Sequence, residues 1–336
     1  MTNSSLLVPC EDSSGTRILV SVLYSLFSIS GTVANLVVIY LVCSFKRLKT
    51  TSNAFIVNGC VSDLLVCAFW MPQEAIVISR SMPESESSVY QVFTEGLVFL
   101  WMTVSLLSHS LIAINRYVLI TKVPTVYQTI YQKRNTEWMI AMSWVIPLVF
   151  LLPWLLGQRR QARPSKCANS RLFVFTGKEV HVSGSYTAIL SAMTILMQTL
   201  VLLYCYFKIF RKVQSSVKRV SVLNFQIINN LPYSVPRKEK RLGVYVLSVC
   251  CAFVFSTAPF MWVTVFALFK PVTAGLQTAS WLLLCLLFVL NPFIYTCKNE
   301  EFRRSFRSVA RGEFCKSSSV GVVVDPVIPT ISHHEP

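Results

Sequence analysis

The chain has 336 residues, of which 53% are hydrophobic and only 14% charged. Soluble globular domains carry about 25% charge, so the shortfall argues against a water-soluble enzyme or scaffold and makes lipid the expected solvent. The net charge of +16 raises nucleic acid as a partner, but the basic residues are spread over segments between apolar runs. Anionic membrane lipid accounts for them there, and no nucleic-acid role is expected.

Seven apolar runs of about the 20 residues needed to cross a bilayer core occur at about 18–43, 53–78, 90–121, 136–156, 184–210, 242–269 and 274–297. They predict an all-α membrane protein, a seven-transmembrane helix bundle over 18–298 with no room for a second folded domain. The first run is too long and wrongly flanked for a cleaved signal peptide. Glu11 and Asp12 precede it and Lys46, Arg47 and Lys49 follow it, so the positive-inside rule puts residues 1–17 outside the cell. Asn3, in Asn3-Ser4-Ser5, is then a glycosylation acceptor. Alternation places 44–52, 116–135, 208–241 and 298–336 in the cytoplasm of a plasma-membrane protein. One outer segment, 157–181, runs against the rule with Arg159, Arg160, Arg163, Lys166, Arg171 and Lys178; it reads either as a solvated loop or as a lure for an acidic ligand.

The segment 213–237, punctuated by Pro232 and Pro236, and the tail 312–336 are expected to lack fixed structure. Past Lys208, however, Ile209, Val213 and Val217 share one face of a basic stretch, which reads as an amphipathic extension of helix five toward lipid or a partner. Of the eleven cysteines, most lie in apolar spans as small packing residues. Cys10 and Cys167 fall outside, where thiols tend to pair; a disulfide between them and two separate thiols are both open.

An ionisable group at bilayer depth is expensive and therefore a functional signal. Asp63 lies twelve residues beyond Thr51, about 18 Å at 1.5 Å per residue, which is mid-membrane. Asn35, Ser105 and Asn291 fall at the same depth. That polar layer has two readings: a structural hydrogen-bond hub, or a site that holds a small cation such as sodium. Helix seven carries Asn291-Pro292-Phe293-Ile294-Tyr295 and helix six carries Pro259, each proline removing a backbone bond and supplying a hinge. Asn115-Arg116-Tyr117 closes the inner end of helix three, where Arg116 alone would pass for a snorkelling residue. The combination of Asn35, Asp63, Trp144, Pro259, Asn291, Pro292 and Tyr295, spread in order over the spans, is far more specific than any member.

This set resembles the rhodopsin-like, or class A, family of G-protein-coupled receptors across roughly 18–310. The resemblance implies that Arg116 moves from an internal pairing to a heterotrimeric G protein as helix six swings outward, and that Tyr206 and Tyr295 support the active state. It also implies a short amphipathic eighth helix over 299–311 beginning at Phe302 and Arg303, a palmitoylation site at Cys315, and arrestin and receptor kinases as further partners. Stretches at 50–60, 70–75, 103–109, 216–225 and 299–305 carry a narrower likeness within the family, which implies the inhibitory Gi/o class and a neuronal setting.

Departures from the family pattern change the expected mechanism. The acid usual before the helix-three arginine is Asn115, leaving Glu239 on helix six as the partner for Arg116. Thr257 replaces the tryptophan that often precedes the helix-six proline, Gln198 stands where helix five often has a proline, and Gln91 replaces the outer cysteine of helix three. The family's ligand chamber would be lined by Val98, Phe99, Met102, Thr257, Phe260 and Met261. An apolar ligand suits this lining better than an amine, which needs a desolvated counter-charge; the same stripe also reads as packing.

A transporter would need a continuous polar path or inverted repeats, and neither is evident. The four histidines make no metal spacing, His109 reads as a packed hydrogen-bonded residue, and no enzymatic activity is expected. A receptor-like modulator of other receptors, without an agonist of its own, is the remaining alternative.

Overall fold

The computed structural model describes residues 14–80, 88–158, 182–227, 237–270, 272–298 and 300–311. Seven of its helices are long and apolar enough to cross a membrane. Helix one is Ser14–Ser44, and helix two runs from Thr51–Leu65 through a π-turn at Val66–Trp70 into Met71–Arg80. Helices three to seven are Ser88–Thr121, Lys133–Gln158, Val182–Ile227, Arg237–Ala267 and Ala274–Lys298, and a last short helix covers Glu300–Ala310.

Local chemistry sets the boundaries. Thr50 caps helix two by accepting from the Asn53 amide at 3.3 Å, while Asn53 Nδ2 donates to the Leu48 carbonyl at 2.8 Å, which closes the tight 3₁₀ turn Lys46–Leu48. A short helix, Pro124–Ile130, follows helix three with proline at its first turn, where a missing N–H costs nothing. The π-turn of helix two ends just before Pro72, whose ring would clash with the carbonyl four residues back in a regular helix.

Large apolar side chains point outward along the spans, among them Ile29, Val33, Val149 and Trp262, which is the inverse of a soluble fold and fits lipid as solvent. Helix three is the axis of the bundle, with 72% of its span buried inside the protein, against 22% for helix four and 28% for helix one. It packs against helices two, four and five, while helix six packs between five and seven. Two apolar clusters fill the interior. The larger runs the depth of the bundle, from Tyr24 and Trp70 to Tyr206 and Ile209; the smaller includes Leu41, Leu48, Phe55, Ile112 and Phe302. Phe302 anchors the terminal helix, whose Arg303 and Arg304 stay exposed beside Glu300 and Glu301.

One expectation is corrected. The segment from 213 is helical through Ile227, as a direct continuation of helix five, rather than unstructured. The punctuation at Pro232 and Pro236 lies outside the described residues. Ile209 is buried and Val213 packs on the core, so the amphipathic face holds the extension as helix where polarity alone suggested a loop.

Candidate functional site

The mid-membrane polar layer is assembled from four helices. Pro292 cannot bond the carbonyl of Phe288 four residues earlier, and that freed oxygen accepts instead from Asn35 Nδ2 on helix one at 3.1 Å. The same amide donates to the Gly31 carbonyl at 2.9 Å. Asn291, one residue before the kink, donates through Nδ2 to Asp63 Oδ2 at 2.8 Å. Asn35, Asp63, Ser105 and Asn291 are all buried, and the Ser105 hydroxyl faces the carboxylate. Asp63 Oδ1, Asn35 Oδ1 and Ser105 Oγ are shielded from solvent without a hydrogen bond of regular geometry.

His109, which the sequence marks as a packed hydrogen-bonded residue, completes this network. Its ring Nδ1 lies 2.8 Å from the Ser105 carbonyl, its Nε2 lies 2.8 Å from Asn291 Oδ1, and its face sits 5.6 Å from the Phe253 ring of helix six. One buried side chain of helix three thus touches both helix six and helix seven, which carry Pro259 and Pro292. Its only sequence signal was its place four residues inward of Ser105, on the face that already pointed at Asp63.

A second polar tie sits on the far side of helix two. Asn58 donates to Ser108 Oγ at 2.8 Å and Ser143 Oγ at 3.0 Å, and accepts from Trp144 Nε1 at 2.8 Å. It fastens helices two, three and four. Gln198 of helix five accepts a hydrogen bond from Ser110 of helix three, so the glutamine that replaces a proline acts as an interhelical clamp.

Near the end of helix three, Asn115 is fully buried, accepts from Ser52 Oγ of helix two and donates to the Tyr127 hydroxyl at 3.3 Å. Losing the acid therefore leaves helix three bolted to helix two and to the short helix that follows it. Tyr131 closes this corner against Phe55 at 6.1 Å, and burial pushes its phenol up to about 12. Arg116 is half-buried beside Asn115. Tyr117 packs edge-on to Tyr204 of helix five at 6.1 Å, and Tyr206 is buried. Pro292 is buried in helix seven. The side chains of Glu239, Tyr295, Glu95 and Gln91 lie outside the described residues, as do Asn3, Cys10, Cys167 and Cys315.

The positions expected to line the chamber do come together, in or beside one buried apolar cluster. Val98, Phe99, Met102, Thr257 and Phe260 are buried, and Met261 packs at the edge of the same cluster. Trp281 of helix seven, unremarked in the sequence reading, is among them with no exposed surface.

The family model of the 7 transmembrane receptor (rhodopsin family) matches residues 34–295, which takes in the polar layer, both proline kinks and the inner end of helix three. The chain belongs to this family, whose members are receptors rather than enzymes, and it is a multi-pass membrane protein. It is 24% identical to "Rhodopsin, GQ-coupled" of Mizuhopecten yessoensis over 88% of this chain and 60% of that one. It is 26% identical to "G-protein coupled receptor moody" of Drosophila melanogaster over 92% of this chain and 54% of that one. With "Melatonin receptor type 1A" of Ovis aries the identity is 26%, over 82% and 73%. The chain thus spans a little over half the length of the first two relatives.

Proposed function

We propose that this chain is a plasma-membrane receptor, with its N-terminus outside, that catalyses nucleotide exchange on heterotrimeric G proteins, with the Gi/o class expected. The observation that carries the reading is the placement of Arg116: half-buried at the inner mouth, on a helix fastened by Asn115 to helix two and by His109 to helix seven. Such an anchor holds helix three still while helix six, kinked at Pro259, is the element left to move. Stretches 50–60, 70–75, 103–109, 216–225 and 299–305 resemble the striatum-specific orphan G-protein-coupled receptor of vertebrate brain, and the Gi/o and neuronal expectations come from that likeness.

The polar layer also fits a small hard cation. Asp63 Oδ1, Asn35 Oδ1 and Ser105 Oγ are buried oxygens with spare acceptor capacity, and sodium takes oxygen ligands. A bound sodium ion would supply a counter-charge to Asp63.

The test is nucleotide exchange by purified receptor in lipid nanodiscs, measured across G-protein classes, for the native chain and Arg116→Ala. The reading expects exchange with Gi/o proteins that Arg116→Ala removes. Exchange that survives the substitution, or no exchange with any class, would overturn it.

A further inference from the structure

The outer third of the bundle is occupied by the protein's own aromatic side chains. Trp281 lies ten residues outward of Asn291, about 15 Å along helix seven. Its indole sits 5.6 Å from Trp70 of helix two at 86° and 5.3 Å from Phe260 of helix six at 58°. Trp70 in turn meets Tyr24 of helix one at 5.6 Å and 88°. The two contacts of Trp70 are edge-to-face, a favoured aromatic arrangement that adds to the energy of burial, and the Phe260 contact is tilted. Tyr24 and Trp281 have no exposed surface, and Phe260 and Val98 keep only 4% and 1%.

Two features make this more than packing. The stack joins helices one, two, six and seven: Trp281 touches helices two and six, Trp70 carries the contact on to helix one, and Trp281 meets helix six at the residue immediately after Pro259. Thr257 leaves helix six without a bulky aromatic of its own one turn inward, its hydroxyl turned back to the Phe253 carbonyl at 2.8 Å. The indole packed against the hinge residue Phe260 comes from helix seven.

We propose that Trp281 is a built-in ligand: its indole fills the chamber where an external agonist would bind, and its attraction for Phe260 draws the outer segment of helix six inward. About a proline pivot, an inward pull on one arm tips the other arm outward, which is the movement that admits a G protein. The chain signals without agonist by this device. An external ligand for the chamber is a flat, neutral aromatic that enters only when the indole is displaced. The signalling part of this inference rests on the receptor reading above; occupancy of the chamber does not.

The experiment removes the indole and returns it as a free molecule. Purified Trp281→Ala, Trp281→Phe and native protein are compared in nanodiscs, with Trp138→Ala on the lipid-facing side of helix four as a control. Each is measured for thermal stability and basal nucleotide exchange with and without indole, since dry apolar cavities bind aromatic molecules of matching size. Trp281→Ala is expected to melt earlier and to lose about fivefold or more of basal exchange, the lower end of usual coupling between sites. Indole should restore both in a saturable way. The native protein and Trp138→Ala should ignore indole, and Trp281→Phe should lose part of the exchange without rescue. If Trp281→Ala does not fold alone, recovery of folded protein only when indole is present supports the proposal, and failure in both conditions leaves Trp281→Phe to decide it. The proposal is overturned if indole stabilises the native protein as much as Trp281→Ala, if Trp281→Ala keeps full basal exchange, or if Trp281→Phe behaves as native. Rescue of stability without any exchange in the native chain would count against the receptor reading instead.

Discussion

Replacing His109 with leucine tests whether the bridge between helices three and seven is energetically real. Leucine keeps an apolar body against Phe253 but removes the contacts to the Ser105 carbonyl and to Asn291 Oδ1, each 2.8 Å in the native chain. The Ser105 carbonyl remains inside a continuous helix and retains its backbone partner, so that loss is minor. In the tautomer with its proton on Nε2, His109 donates to Asn291 Oδ1; the substitution leaves that oxygen unsatisfied in a dry interior while Asn291 keeps its bond to Asp63, and such a group costs about 1–3 kcal/mol. Equilibrium unfolding in mixed micelles should show that loss for His109→Leu. It should also show a coupling of about 0.5–3 kcal/mol between His109→Leu and Asn291→Ala in a double-mutant cycle. A cycle in which the two losses simply add would refute the bridge.

Other consequences can be measured in the same system. Gly31→Ala places a methyl group 2.4 Å from Cys67 Sγ and 3.3 Å from Val289 Cγ2, so overpacking should lower stability by about 1–3 kcal/mol; an unchanged unfolding curve would show that helices one and two separate easily. Gln198→Leu removes the acceptor for Ser110, and should destabilise by about 1–3 kcal/mol unless Ser110→Ala is added, when most of the loss should return, because two apolar partners cost less than one orphan. Tyr131 deprotonates less readily folded than unfolded, since burial pushes its phenol up to about 12 from the ordinary value near 10. Its contribution to stability is complete below about pH 10 and is lost as pH rises through 12. In a Tyr131→Phe comparison the phenolate absorbance assigned to Tyr131 should therefore be absent at pH 10.

Depth was legible in the sequence; direction was not. Counting at 1.5 Å per residue put Asp63, Asn35, Ser105 and Asn291 in one layer, and all four are buried there. Pro292 announced a freed carbonyl, although which side chain would take it up was not readable. Helices apolar all round give no moment from which to assign an inward face, and for that reason His109 was read as hydrogen-bonded without its partners being identified and Trp281 drew no notice. Asn115 was read as the loss of an ion-pair partner, whereas its amide serves Ser52 and Tyr127, residues remote in the chain or across a turn. The extension of helix five past Lys208 was legible in Ile209, Val213 and Val217, but its reach to Ile227 was not, because the residues beyond resemble a loop in composition.

The amide of Asn35 reaches across to the carbonyl of Phe288, 253 residues later in the chain. The first crossing is made carrying that amide well before its acceptor on the seventh crossing exists, so the contact closes the ring of crossings only once the seventh has inserted. Until then the amide has its own Gly31 carbonyl, and a nascent chain stopped short of the seventh crossing carries a half-satisfied polar group at bilayer depth.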